Sequence, residues 1–406
     1  MESVSELRAQ VLPLFRTRRE LLDWRTVTQF SRDAAHGVDL LRAASSRLGA
    51  APVVPVVQRA SDTLFRTLMK ADDSNGEIQG VVDELLDLHP ELCAADPPPA
   101  KSLVDWLLAW QFGESGGYFA LDIVQYATAL GGAGLRRYRE QLAESAETEP
   151  LDFLGERPIL VRNQQRLAVI DRDAQAVIRT HVGSSERSYR FEMAAKALAE
   201  IDELGLAIEY AHRGALVEKG HQAESSGRLW RDLIARFRPS EATAVAREVF
   251  EAWPTAKNAT VLHGVAGDGW SQLEREVLGR LRESPREILP FVLDTLGDST
   301  RAWSEAQDLE ARGVQVSERL WARLVRAHRT ARPMDVLPVV RRLIESELRV
   351  ADSARYRGAV AMLTDYCTLC ASIGVSEVGL AFVAELCERY ARRPRLLEEV
   401  RRARLG

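Results

Sequence analysis

Two cysteines three residues apart, in Cys367-Thr368-Leu369-Cys370, have the spacing of half a zinc site. A structural zinc needs four thiolate or imidazole ligands. No second pair follows, and no histidine lies nearby in sequence. The segment reads as an apolar helix, where a step of three puts both thiols on one face, so packing is the favoured role. A thioredoxin-like redox reading needs a strand before the motif, and none is evident. If the next helix folds back across Gly374, Cys387 would bring the set to three thiols at best. No metal and no cofactor is expected.

Other patterns look chemical only until their context is considered. Gly113-Glu114-Ser115-Gly116-Gly117 matches a nucleophile elbow, which works on a strained strand-to-helix turn. Here helices flank it on both sides, so an interhelical loop is the better reading. Asp72-Asp73-Ser74-Asn75-Gly76-Glu77 hints at a calcium loop, but in that register Ala71 and Val82 occupy the first and last ligand positions without side-chain oxygen. A helix start capped by Ser74, with Glu77 completing a capping box, is favoured. Gly264, Gly267 and Gly269 follow no strand and form no dinucleotide fingerprint. The histidines are scattered, and the Trp and Tyr residues fall mostly at helical spacings on apolar faces. Near the end of the chain Arg389, Arg392, Arg393 and Arg395 make a basic run followed by Glu398 and Glu399. A solvated face or helix end is favoured for them; contact with a partner or with phosphate is the sharper alternative.

The charge balance bounds the partners. Lys and Arg number 54 against 59 Asp and Glu, a formal net charge of −5, which argues against chain-wide attraction to nucleic acid or anionic lipid. Four cysteines in 406 residues are too sparse for a secreted disulfide framework and suit free thiols in a reducing compartment. Met1 to Gln10 lacks the basic start and apolar core of a signal peptide, and no stretch approaches the roughly 18 apolar residues of a membrane span. A cytoplasmic location without a membrane partner is expected.

The elements that would position these residues are helices. Leu7, Val11, Leu14, Phe15 and Leu22 follow helical steps, so the pattern predicts one helix from Glu6 to Leu22. Further helices are predicted over 28–47 and 53–69, then from the Ser74 cap to a stop at Pro97-Pro98-Pro99, and over 102–112, 118–130 and 135–145. Residues 146–158, rich in Glu, Pro and Gly, are the clear composition break. They are read as a linker between an N-terminal helical bundle, 1–145, and a helical-repeat domain, 159–406. In the latter, Gly205, Pro239, Asp268, Asp298 and Pro333 punctuate helix pairs at about 30 to 35 residues, the range of helix–turn–helix solenoids. The expected fold is all-α: an α-solenoid of antiparallel helix pairs, a right-handed superhelix of tetratricopeptide type.

Several segments also carry a family likeness. They are Asp72-Asp73-Ser74-Asn75-Gly76-Glu77 with Leu85-Leu86-Asp87-Leu88-His89, then Gly134-Leu135-Arg136-Arg137-Tyr138-Arg139, Arg355-Tyr356-Arg357-Gly358-Ala359-Val360, and Arg389-Tyr390-Ala391-Arg392-Arg393-Pro394. Through them the chain, from about Arg18 onward, resembles the long helical region that follows the zinc motif in bacterial SWIM-type zinc-finger proteins. The resemblance implies an α-solenoid without known enzymatic activity. The zinc motif itself, Cys-x-Cys then Cys-x-His, is absent, so zinc binding and the nucleic-acid role proposed for that finger do not carry over. The expected function is therefore a non-enzymatic scaffold for a protein or peptide partner. The alternative is a nucleic-acid-associated accessory module using the C-terminal arginines.

Overall fold

A computed structural model describes residues 3–147, 149–152, 155–183 and 185–405; among them there are helices and turns and no strand. None of the described helices is long and apolar enough to cross a membrane. The chain forms two compact units, Met1–Trp230 and Arg231–Gly406.

The first unit begins differently from the sequence reading. The opening helix spans only Val4–Val11, and a 3-10 turn, Leu12–Phe15, follows it. Pro13 explains the change, since its ring and missing N–H are incompatible with a continuing helix. The chain is extended at Arg16 and next becomes helical at Trp24, where Asp23 caps the amides of Arg25 and Thr26. Helices Trp24–Leu48, Val54–Leu68 and Glu77–Ala95 then pack together. The expected Ser74–Glu77 capping box is replaced: Gly76 takes a left-handed φ of 72°, and the Asp73 carboxylate accepts from the amides of Ile78 and Gln79 at 2.9 and 2.8 Å. The predicted helix over 118–130 is also revised. A 3-10 turn, Ile123–Tyr126, leads into helix Ala127–Ala146, which kinks at Gly131 with a φ of 56°.

The composition break at 146–158, of which 148, 153 and 154 lie outside the described residues, falls inside the first unit. Local hydrogen bonding accounts for this. The Glu149 carboxylate, nearly buried, accepts from the Ile159 and Leu160 amides at 2.5 and 3.1 Å and so caps helix Pro158–Ile170. Across the segment, Tyr138 donates to the Gln111 side-chain carbonyl at 2.7 Å, and the Gln111 amide donates to Asn163 at 3.1 Å. A core that includes Phe15, Leu41, Leu64, Tyr126 and Tyr138 also reaches Leu167.

The second unit runs through helices Ala242–Ala252, Ala256–Ala266, Trp270–Leu281, Pro285–Pro290 with a π turn at Phe291–Thr295, Ser299–Ala311, Glu318–His328, Pro333–Glu347, Ser353–Ser372, Ser376–Arg389 and Pro394–Arg402. Most of these helices pack on the next in sequence. Two tryptophans pack into its largely aliphatic interior: Trp303 and Trp321 meet edge to face at 5.1 Å, and the His328 ring stacks on Trp303 at 4.8 Å. Trp321 is 2% exposed and donates its indole N–H to Glu310 at 2.7 Å, so the polar atom is satisfied while the ring fills the core.

Candidate functional site

In the second unit, helices Glu318–His328, Pro333–Glu347 and Ser353–Ser372 leave an open groove of about 170 Å³. Sequence periodicity produces it. Along the first of these helices Trp321, Leu324 and His328 turn inward at helical steps, which leaves Arg326 and Arg329 exposed on the rim. Val340 and Leu343 from the second helix and Met362 and Leu369 from the third supply the apolar floor. Asp365 is exposed on the opposite rim, and Tyr366 is buried beside it. Burial, with Cys370 next to it, pushes the Tyr366 phenol up to about 12, so it stays protonated at neutral pH. An apolar floor between rims of opposite charge can take an apolar side chain and orient the segment that carries it.

The four C-terminal arginines come to rest in different settings. Arg389 pairs with Glu345 at 3.0 Å and Glu385 at 2.5 Å, and those partners raise its pKa. Arg393 donates to the Leu348 carbonyl at 2.5 Å and lies over the Tyr390 ring at 4.6 Å. Arg392 and Arg395 are exposed. Two of the four therefore tie helices together, and two are left to face solvent.

The remaining chemical motifs resolve into packing. Gly379 brings helix Ser376–Arg389 close to the cysteine helix: a Cβ there would lie 3.3 Å from the Cys367 Cα and 3.4 Å from the Cys370 Cβ. Burial raises the pKa of both thiols. No group of three or more His, Cys, Asp or Glu able to hold a metal occurs among the described residues. Ser115, of the elbow-like pattern, is buried, and its hydroxyl donates to the Trp110 carbonyl at 2.9 Å, which closes the end of helix Ala100–Phe112. Gly116 is there for space, since a Cβ would come within 1.7 Å of the Gln111 carbonyl oxygen.

A Cys–His neighbourhood that the sequence did not announce lies in the first unit. His89 is fully buried against Trp106 and Tyr126, with the Cys93 sulfur 3.8 Å from Nε2. The Gln58 amide donates to Nε2 at 3.0 Å, which leaves the ring proton on Nδ1 to be donated to the Tyr126 hydroxyl, also at 3.0 Å. Burial takes the His89 pKa down to about 3 and pushes the Cys93 thiol up to about 12. The pair is thus a neutral imidazole beside a protonated thiol, the reverse of an activated nucleophile.

The same unit holds a polar cleft of about 460 Å³ around Arg166. Arg166 reaches Asp122 at 2.9 and 2.8 Å and Glu200 at 2.7 Å twice. These hydrogen bonds raise its pKa further. Nearby, Arg190 meets both Glu156 oxygens at 3.1 Å. No sequence signal marks this cleft, because Asp122, Arg166 and Glu200 share no motif. The groove rim had a faint one, in that Arg326 and Arg329 stand three apart on one helical face.

No family model matches the chain and no curated protein matches it.

Proposed function

We propose that the chain is a non-enzymatic protein-interaction scaffold of the bacterial cytoplasm. Its sequential helix pairs form an α-solenoid, and its second unit holds an extended or helical protein segment in the groove between Arg326 and Asp365. The observation that carries this reading is the groove, an apolar floor flanked by exposed charges of both signs, on helices that pack one on the next. The state of the His89–Cys93 neighbourhood supports it too, since both groups are held in their unreactive forms. The likeness to the SWIM-associated helical region points the same way.

The rival reading, a nucleic-acid module built on the C-terminal arginines, is weakened because Arg389 and Arg393 are already committed within the unit. One comparison tests the proposal: affinity capture from the native cell with the wild-type chain and with a chain carrying Arg326→Glu and Arg329→Glu. Recovery of a defined protein by the wild type and its loss with the variant is expected. Recovery of no protein, or of the same proteins by both chains, would overturn it.

A further inference from the structure

Between the 3-10 turn at Leu12–Phe15 and helix Trp24–Leu48 the chain crosses the end of helix Val54–Leu68, and the two enclose a second cleft of about 470 Å³. Five cations line it, Arg16, Arg18, Arg19, Arg66 and Lys70, against one carboxylate, Glu20. All five are exposed, and none is ion-paired to a carboxylate among the described residues. This departs from the habit of the chain. Arg166, Arg190, Arg247, Arg282 and Arg301 each hold a carboxylate. Asp62, one turn before Arg66, feels the charges of Arg66 and Arg59, but burial outweighs them and raises its pKa.

The cleft is built by the fold and does not depend on a loose tail. Phe15 is fully buried, and its carbonyl accepts from the Thr67 hydroxyl at 3.2 Å. At the other end Leu21 is 4% exposed, and its carbonyl accepts from the Asp72 amide at 2.7 Å. Within the segment, the Arg19 amide donates to the Thr17 hydroxyl at 3.0 Å. Five residues carrying three arginines are therefore held between two fixed points over the basic end of a helix. Holding like charges together without partners is unfavourable in the free protein, and an anion that neutralises them removes that penalty.

We propose that this cleft binds a small soluble ligand carrying two or more phosphate groups, such as an inorganic oligophosphate or a nucleoside polyphosphate. Guanidinium groups match phosphate oxygens bidentately, and the excess of cations over carboxylates suits a ligand of several negative charges. The volume lies in the range of small-ligand pockets, about 300–1,000 Å³. This site is separate from the groove of the second unit and does not depend on the scaffold reading.

Titration calorimetry of the full chain with inorganic tripolyphosphate tests it, with ATP, a single-stranded oligonucleotide and phosphatidylcholine vesicles containing phosphatidylinositol bisphosphate as further arms. Saturable binding of tripolyphosphate or ATP near one per chain is expected, and the two together distinguish an inorganic from a nucleoside ligand. A chain with Arg18→Ala and Arg66→Ala should bind at least about tenfold more weakly, while one with Arg392→Ala and Arg395→Ala should bind as the wild type does. Arg19→Glu provides a second variant at an exposed position, and an unchanged thermal midpoint shows that each chain is folded. Absence of saturable binding to either small ligand, binding confined to the oligonucleotide or the vesicles, or equal losses in the cleft and C-terminal variants would overturn the proposal.

Discussion

The first unit holds two clefts of nearly equal volume, about 460 and 470 Å³, that differ in where their charge is spent. Around Arg166 three cations meet three carboxylates, and the central guanidinium makes four hydrogen bonds to protein oxygens. Around Arg18 five cations meet one carboxylate, and the guanidinium groups are left to solvent. The first arrangement joins segments that are far apart in sequence, because Asp122, Arg166 and Glu200 come from three different elements. The second is a short stretch of chain fixed at its ends. Cleft volume alone would rank the two as equals; internal neutralisation separates a structural ion network from a surface left open to an anion.

Both clefts can be compared only where the unit is folded, and the burial of His89 draws on that stability in acid. Its pKa is about 3 in the folded chain against 6.5 for the free side chain, so below 6.5 the unfolded chain takes up a proton that the native one refuses. Stability is therefore present above 6.5 and is lost as pH falls from there towards 3, by several kcal/mol in all. Urea midpoints at pH 7 and pH 4.5 should fall steeply for the wild type and less steeply for His89→Gln; parallel losses would show that another group governs the acid limb.

Within the folded range, Arg166→Met should cost about 2 kcal/mol, because Asp122 and Glu200 are left facing each other in a half-buried site. Urea denaturation measures it, and tripolyphosphate binding by the same variant should be unchanged. A neutral effect on stability would erase the distinction between the clefts. Gly37→Ala tests the anchor of the basic cleft from behind. A Cβ at Gly37 would come within 2.8 Å of the Phe15 ring, and overpacking of this kind costs about 1–3 kcal/mol. Since Phe15 fixes one end of the arginine segment, phosphate affinity should fall along with stability. The smallest effect is expected from Arg18→Glu with Arg19→Glu, which should leave stability within about 0.5 kcal/mol of the wild type. A loss comparable to that of Arg166→Met would mean that these arginines hold structure after all.

The ease with which each part could be read from sequence follows from how local its cause is. The helices after Pro158 have a 3.6-residue pattern with Gly, Pro and Asp at the turns, and their order in the fold is the order of that pattern. Leu22 continues the spacing of Leu7, Val11, Leu14 and Phe15, so periodicity alone extends a helix through a stretch that Pro13 interrupts. The basic cleft is invisible to that pattern, because a helix would spread its cations around an axis, whereas the non-helical segment gathers them. The segment 146–158 has the composition of a linker, yet within it Glu149 caps a helix and Gln111 reaches Asn163 across it. The spacing of Arg326 and Arg329 marks one face of a helix, but the floor they border and the Arg166 network depend on which helices become neighbours, which periodicity does not show.

The Gln111 network has one further consequence, for the integrity of a broken chain. Its hydrogen bonds run one way, from Tyr138 to Gln111, from Gln111 to Asn163, and from Asn163 to the Ile159 carbonyl, so each amide has a single orientation in which both of its ends are satisfied. The chain thus crosses from helix Ala127–Ala146 to helix Pro158–Ile170 by two routes, one covalent and one through these side chains, with Arg139 and Asp171 adding a contact at 2.5 Å. A protease that nicks the segment between those helices severs only the first route. The two fragments should stay together through gel filtration and separate only in denaturant, so that a chain which looks cleaved on a denaturing gel still behaves as one body in solution.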